Sequence, residues 1–282
     1  MRNFIKATLA IAVIMLFIAC GKDDKQSVEQ YNREKVSVNI DGVINNYAPE
    51  DETETKVSAQ AVIRILWQGG ETVYAYQGDR YLGALQANAQ LDGSIASLKG
   101  ELDSPQEGKV ITFICSPQFT EQPEIWNSTL YMDIADQTEK DLPFIIYATH
   151  LYTSGDEITG IVVYFDIATS FYKCNCADLP LGPITKAQIN EINTVLEMTF
   201  SDSAAPVITG SAPGIITRKN GFTSANNDQR AIFSISVAPS PAVSSRTLEV
   251  TKGGKIYNAN FDNREIGAGK SINAVFMCTP KN

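Results

Sequence analysis

The 282-residue chain offers five cysteines, one histidine and a few clustered carboxylates as side chains able to do chemistry. Cys174-Asn175-Cys176 would set two thiols on the same face of a strand, because side chains two apart in extended backbone point the same way. The one-residue spacing is wrong for a zinc knuckle, and no second pair or histidine follows it. Cys115 continues an alternation with Ile111 and Phe113, and Cys278 continues one with Ala274 and Phe276. Both read as small buried apolar thiols. Leaving Cys20 aside, the four thiols could also pair as disulfides in an exported chain, and the sequence does not choose among the three connectivities. His150 cannot build a histidine-rich metal site alone; it reads as a hydrogen-bonded strand residue without a role. Asp133, Asp136 and Glu139 carry no spacing signature of a glycosidase pair and read as a solvated loop. No Gly-x-Ser-x-Gly, His-Glu-x-x-His or phosphate-binding loop occurs. An enzyme is therefore not expected, nor a cofactor or a metal.

Cys20 has a more definite task. Arg2 and Lys6 precede an apolar run, Ala7 to Ala19, too short to cross a bilayer, which takes about 20 apolar residues. A basic start, a short apolar run and a small residue before the cut make residues 1–19 a signal peptide. Phe17-Ile18-Ala19-Cys20 resembles a bacterial lipobox, with Phe17 where Leu is usual. Cleavage there leaves Cys20 first, its sulfur carrying diacylglycerol. Acyl chains at ~0.8 kcal/mol per buried methylene would anchor the chain stably. Gly21-Lys22-Asp23-Asp24-Lys25 resembles the short acidic signals that send lipoproteins to the outer face of an outer membrane. Residues 20–35 then form a lipidated polar tether.

Positioning these groups is the work of strands. Hydrophobic residues make up 44% of the chain, enough for a packed core. The formal net charge of -9 and pI near 4.8 argue against nucleic acid and against an electrostatic grip on anionic lipid. The dominant period is two. Val57, Ala59, Ala61, Ile63, Ile65 and Trp67 share a face, and Gly69-Gly70 turns the chain into Thr72–Tyr76, which reads as a hairpin. Thr247–Thr251 meets Ile256–Phe261 across Lys252-Gly253-Gly254-Lys255 in the same way. Further strands are expected at Val36–Ile40, Val110–Cys115, Phe144–Tyr152, Ile158–Tyr172, Leu196–Phe200, Ala231–Val237 and the last run, Ile272 to Cys278. Thr185–Val195 reads as the one short helix, with Thr185 as N-cap. Many short strands between Gly and Pro turns indicate an all-β chain of β-sandwich domains. The polar break Tyr152-Thr153-Ser154-Gly155-Asp156-Glu157 places the boundary between residues 36–155 and 156–282.

Nearly the whole mature chain resembles the fimbrillin-like family, the type V pilins and their accessory subunits. The resemblance rests on Thr55-Lys56, Ile65-Leu66-Trp67, Gly69-Gly70 and Val73-Tyr74-Ala75-Tyr76. It continues through Ile95–Gly100, Ile111–Pro117 and Leu142–Ala148. Its most specific part is Val237-Ala238-Pro239, then Ile266-Gly267-Ala268-Gly269-Lys270-Ser271 leading the final strand. Gly70-Glu71 stands where Gly-Asp is commoner, and Cys115 where an aromatic or aliphatic residue is usual. The resemblance implies two tandem β-sandwich domains of transthyretin-like Greek-key type. It implies a lipidated precursor trimmed by a trypsin-like protease, with Arg33, Lys35 and Lys56 as candidate cut points. It implies a first strand, containing Val36, Val38 and Ile40, whose removal opens a groove for a neighbouring subunit's strand. The partners would be other fimbrial subunits, the outer membrane through Cys20 and a host or bacterial surface ligand.

A rival reading takes Tyr131, Tyr147, Tyr152 and Tyr164, with Trp67 and Trp126, as a stacking platform of a glycan-binding surface lipoprotein. Aromatics alternating in strands more often pack inside. Asp202-Ser203-Ala204 resembles a short O-glycosylation motif and equally suits a polar loop. Stalk, tip or anchor, the adhesion target, the basic residue cleaved and the disulfides stay open at this level.

Overall fold

The computed structural model describes residues 35–45, 65–138, 142–155, 157–177, 179–180, 182–219, 231–261 and 263–281. Cys20, Arg33, Lys56 and Glu139 lie outside them. From Lys35 on, the chain forms one compact unit. No helix occurs among the described residues.

The strands of the first half are β1 (Lys35–Ile44), β2 (Thr72–Gln77), β3 (Arg80–Ala89), β4 (Ile95–Asp103), β5 (Val110–Cys115), β6 (Thr129–Asp133), β7 (Asp136–Gln137), β8 (Ile146–Leu151) and β9 (Glu157–Ile167). Those of the second are β10 (Ser170–Ala177), β11 (Ile184–Thr199), β12 (Val207–Lys219), β13 (Ala231–Val237), β14 (Thr247–Lys252), β15 (Lys255–Asn260), β16 (Ser271–Met277) and β17 (Thr279–Pro280). Strands β1-β4-β3-β2-β5-β8-β9 close into a barrel-like sheet. A second sheet runs β13-β10-β16, and a third runs β17-β15-β14-β11-β12-β7, with β6 on β11.

Several expected runs are strands, though burial does not alternate in all of them: β5 is buried on both faces from Ile111 to Cys115. β5 and β13 coincide with the expected runs, and the β14–β15 hairpin pairs Val250 with Tyr257 across a Gly253-Gly254 turn at φ 57° and 76°. Both glycines take the left-handed conformation that a two-residue hairpin turn needs.

Four expectations need correction. Thr185–Val195 is strand, not helix, and belongs to β11. A β-bulge between Ile189 and Ile192 shifts the register, so inward residues run Ala187, Ile189, then Ile192, Leu196, Met198. The steps of three and four across the bulge imitate a helical period. Second, β2 folds back on β3 through Gly78-Asp79, whereas Ile65–Trp67 is not strand; the Trp67 amide instead donates to the Gly93 carbonyl at 2.9 Å. Val57 to Arg64 lie outside the described residues. Third, Ile158–Tyr172 is two strands, β9 and β10, with the change of sheet at Ala168-Thr169. Fourth, residue 155 is therefore not where the sheets divide. β9 belongs to the barrel, and β6 and β7, from before the break, pair with β11 and β12 of the third sheet.

Two apolar clusters result. One fills the barrel, around Leu85, Leu98, Phe113, Phe165 and Trp67. The other lies between the second and third sheets and reaches onto the outer face of the barrel through Tyr74, Tyr76 and Ile114.

Candidate functional site: the slot of strand β1

β1 is the first strand of the barrel and an interior one. It pairs antiparallel with β4, Val38 opposite Gly100, and parallel with β9, Val43 opposite Tyr164. Its sequence alternates without a break: Val36, Val38, Ile40, Gly42 and Ile44 are buried, while Lys35, Ser37, Asn39 and Asp41 are exposed. That pattern suits a strand with one face on a core and one in water. β9 carries a register shift beside Asn39, which brings Ile158 and then Val163, Phe165 and Ile167 to the inside.

Gly42 shapes the slot. A Cβ there would come within 3.0 Å of Leu98, 3.1 Å of Phe165 and 3.3 Å of Trp67. The missing side chain lets the indole lie against the strand, where Trp67 Nε1 donates to the Gly42 carbonyl at 3.0 Å. The indole also meets Phe165 edge-on, with ring centroids 5.3 Å apart. Trp67 is therefore a plug of the barrel and no part of a surface platform.

The energetic weight of β1 follows from its burial. Four aliphatic side chains, Val36, Val38, Ile40 and Ile44, are almost wholly removed from water. At about 1.5–3 kcal/mol each they contribute about 6–12 kcal/mol. A protein domain is stable by only about 5–15 kcal/mol in total. A barrel without β1 would have to refill the slot or lose its fold.

Lys35, the described member of the three candidate cut points, is the first residue of β1. It is exposed and pairs with Glu101 at 2.8 Å, which raises its pKa through the hydrogen bond and the opposite charge. A cut after Arg33 would leave β1 whole, and one after Lys35 would remove only its first residue. Of the three positions, only Lys56 lies beyond the strand.

The other sequence candidates are scattered. Asp133 Oδ1 accepts from the Ala135 amide at 2.8 Å, and Asp136 pairs with Lys219 at 3.3 Å; both are exposed, Asp133 ending β6 and Asp136 opening β7. Among the described residues no group of His, Cys, Asp and Glu could hold a metal ion. His150 is half-buried on β8, and burial lowers its pKa. The cysteines Cys115, Cys174, Cys176 and Cys278 are all buried and stand as thiols, not disulfides. Asp202 pairs with Lys109, and its carbonyl accepts from the Val110 amide at 2.8 Å, so this turn fastens the barrel to the end of β11.

Of the six aromatics, two meet at the surface. Trp126 is 68% and Tyr131 47% exposed, with ring centroids 6.5 Å apart. Tyr152 is buried, Tyr147 is half-buried, and Tyr164 is exposed on β9 in the other sheet.

No protein-family model and no curated protein matches this chain. Solved structures do share its fold. A candidate cell adhesion protein from Bacteroides ovatus superposes with a TM-score of 0.54 at 12% identity, over 89% of this chain and 97% of that one. One from Bacteroides fragilis gives 0.52 at 15% identity, over 87% and 97%. One from Bacteroides uniformis gives 0.50 at 11% identity, over 89% and 97%. At such identities the likeness is one of fold.

Proposed function

We propose that this chain is a structural or adhesive subunit of a fimbrillin-like surface fimbrium, assembled by exchange of the strand in the β1 slot. The observation that carries this reading is β1 itself. The first strand among the described residues is interior, apolar on one side and hydrogen-bonded on both, so its loss would leave an open slot between β4 and β9. An incoming strand from a neighbouring subunit can satisfy the same backbone groups and cover the same core. The fold shared with three candidate cell adhesion proteins supports the reading.

A tandem arrangement of transthyretin-like domains fits the topology. β1 lies between antiparallel β4 and parallel β9, and β10 lies between antiparallel β13 and parallel β16. The precursor would be held at the outer membrane by acyl chains on Cys20 and released for assembly by a cut at Lys56.

Size-exclusion chromatography before and after trimming tests the proposal. Untrimmed protein should be monomeric. Protein cut at Lys56 and stripped of residues 35–44 should oligomerise or capture a synthetic strand with the pattern of β1. A trimmed product that stays monomeric, folded and unable to bind such a strand would refute strand exchange.

The Trp126–Tyr131 pair favours a second reading, glycan binding at the cell surface. Two exposed rings side by side can stack on the apolar face of a sugar. A glycan array separates the readings: specific hits lost in Trp126→Ala would establish this function, and a blank array would remove it.

A further inference from the structure

We propose that the β1 slot selects its occupant by sequence. This selection rests on the strand-exchange reading and defines the partner strand in it. That strand carries glycine in register with Gly42, a basic residue at the Lys35–Ser37 end and an apolar outward residue at the place of Val43. The strands that impose these conditions are β4 and β9, which stay behind when β1 leaves.

The inner face demands the glycine. Leu98, Phe165 and Trp67 fill the place of a side chain at residue 42, at 3.0, 3.1 and 3.3 Å from an added Cβ. All three are buried, and the Trp67 and Phe165 rings brace each other edge-on. A branched side chain could enter only by displacing them, and a close-packed core resists that. The demand is for space rather than for a special backbone angle, since Gly42 does not take a positive φ. It also fixes the register. A slip of two residues keeps the apolar face inward but brings Ile40 or Ile44 into the place of the glycine. A slip of one turns Ser37, Asn39 and Asp41 toward the core.

The outer face demands the direction. β1 runs antiparallel to β4 and parallel to β9, so a strand entering backwards would also form one ladder of each kind. Backbone pairing therefore leaves the direction open, and side chains decide it. At one end stand carboxylates. Ser37 lies opposite Glu101 of β4 and Glu157 of β9, and Lys35 lies opposite Asp103. Cross-strand neighbours on one face are about 5 Å apart, so a base at either place meets this group. β1 meets it with Lys35, which pairs with Glu101 at 2.8 Å. At the other end Val43 lies between Ile95 of β4 and Tyr164 of β9, and it is half-buried although it points outward. A strand with its base at the Tyr164 end and its apolar end among the carboxylates would lose both matches.

In the full chain β1 is its own occupant. Gly42→Val should lower Tm by about 3 °C or more, and Gly42→Ala by less. An unchanged Tm in both variants overturns the proposal. Where Gly42→Val does not fold, added peptides decide, and these need no change inside the barrel. The full chain is opened at one protease site inserted after Lys56, with β1 still seated. Excess fluorescent peptide of residues 35–44 is added, and its uptake at equilibrium is read by size-exclusion chromatography. The parent peptide should enter. A peptide of the same composition with Val38→Gly and Gly42→Val should enter about tenfold less. One with Lys35→Val and Val43→Lys should enter about threefold less, the deficit shrinking in about 1 M salt. Uptake of the glycine-shifted peptide equal to that of the parent means that the slot takes any alternating strand; selection then falls and strand exchange stands. No uptake of any peptide, the parent included, refutes strand exchange itself, and selection with it.

Discussion

Cys115, on β5 and 4% exposed, packs among barrel residues that leave its thiol nothing charged to lean on. Burial, with a smaller push from Glu71, moves its pKa from 9.0 up to about 12. Below pH 9 both folded and unfolded chains keep the proton, and pH has no effect through this group. Between pH 9 and about 12 the unfolded chain gives it up while the folded chain holds it, so stability falls as pH rises. The slope is about 1.4 kcal/mol per pH unit for one group. Tyr74, Tyr76, Tyr81 and Tyr147, all pushed up mainly by burial, add to the loss at higher pH. Urea midpoints at about pH 8 and about pH 10.5 should therefore diverge, and Cys115→Ala should narrow the gap by one group's share. An unchanged gap would show that Cys115 ionises normally. Its burial was legible from alternation with Ile111 and Phe113. Cys20 is a different case, argued from its place after Ala19 alone. Cys20→Ala should abolish labelling by a fatty-acid analogue and release the protein from membranes, and undiminished labelling would remove the lipid assignment. Arg246 was not legible at all. It is 1% exposed and donates to the carbonyls of Glu191, Pro241 and Arg264, all brought together by tertiary folding.

At the level of elements, β11 shows how a strand can disguise itself. Glu191 sits at φ 51°, in the left-handed region, and its carbonyl is held by Arg246 Nε at 3.0 Å. Asn190 Oδ1 accepts from the Thr247 amide at 2.6 Å, fixing the other side of the bulge. The bulge moves the buried set from Ala187 and Ile189 to Ile192, Leu196 and Met198. Deleting Glu191 would join Ala187 and Ile189 to Ile192, Leu196 and Met198 in unbroken alternation on the core face, and would take away the carbonyl to which Arg246 Nε donates. The deletion should keep the register of the strand and cost about 1–3 kcal/mol through that lost buried hydrogen bond. Glu191→Gly should instead keep the fold and raise stability by about 1 kcal/mol, since glycine takes a positive φ without strain. Thermal melts decide, and a destabilised Glu191→Gly would show that its side chain matters more than its backbone. The same bulge explains why the sequence suggested a helix there. β12 escaped notice for another reason: Gly210, Pro213 and Gly214 read as loop. Pro213 is tolerated because, among the described residues, most of the strand's outer edge has no ladder partner, β7 meeting it only at Thr217 and Arg218. The β1 slot was half legible. The alternation Val36, Val38, Ile40 marked the strand, but nothing in the sequence placed Trp67 against Gly42.

For the whole molecule, the deciding fact is that the second core is built from both halves of the chain. Leu130 and Met132 of β6, with Ile134, enter it beside Leu196 and Met198 of β11. Tyr76 on the barrel's outer face meets Phe200 with ring centroids 5.5 Å apart, and its hydroxyl donates to the Pro123 carbonyl at 2.9 Å. Sequence reading put a boundary at residue 155 because Tyr152–Glu157 is polar and turn-like. That local signal is real, since Gly155 is exposed at φ 110° between β8 and β9. It marks a loop within the barrel, because strand pairing over a hundred residues leaves no local trace. Two consequences can be checked. Nicking at 152–157 should leave both fragments associated, because β9 remains paired with β1 and β8 and β6 with β11. Expressed alone, residues 156–282 should fail to fold, since that fragment lacks β6 and β7 and would expose the apolar faces they cover. Calorimetry of the intact chain should show one transition with equal calorimetric and van't Hoff enthalpies. Two resolved transitions, or a soluble, cooperatively melting 156–282 fragment, would mean that the shared core is too weak to couple the halves. One transition would mean that a strand leaving the β1 slot is felt through Tyr74, Tyr76 and Ile114 as far as the β10 sheet. Refilling the slot would then raise the single Tm of the whole molecule, a shift readable by titrating trimmed protein with a β1-patterned peptide.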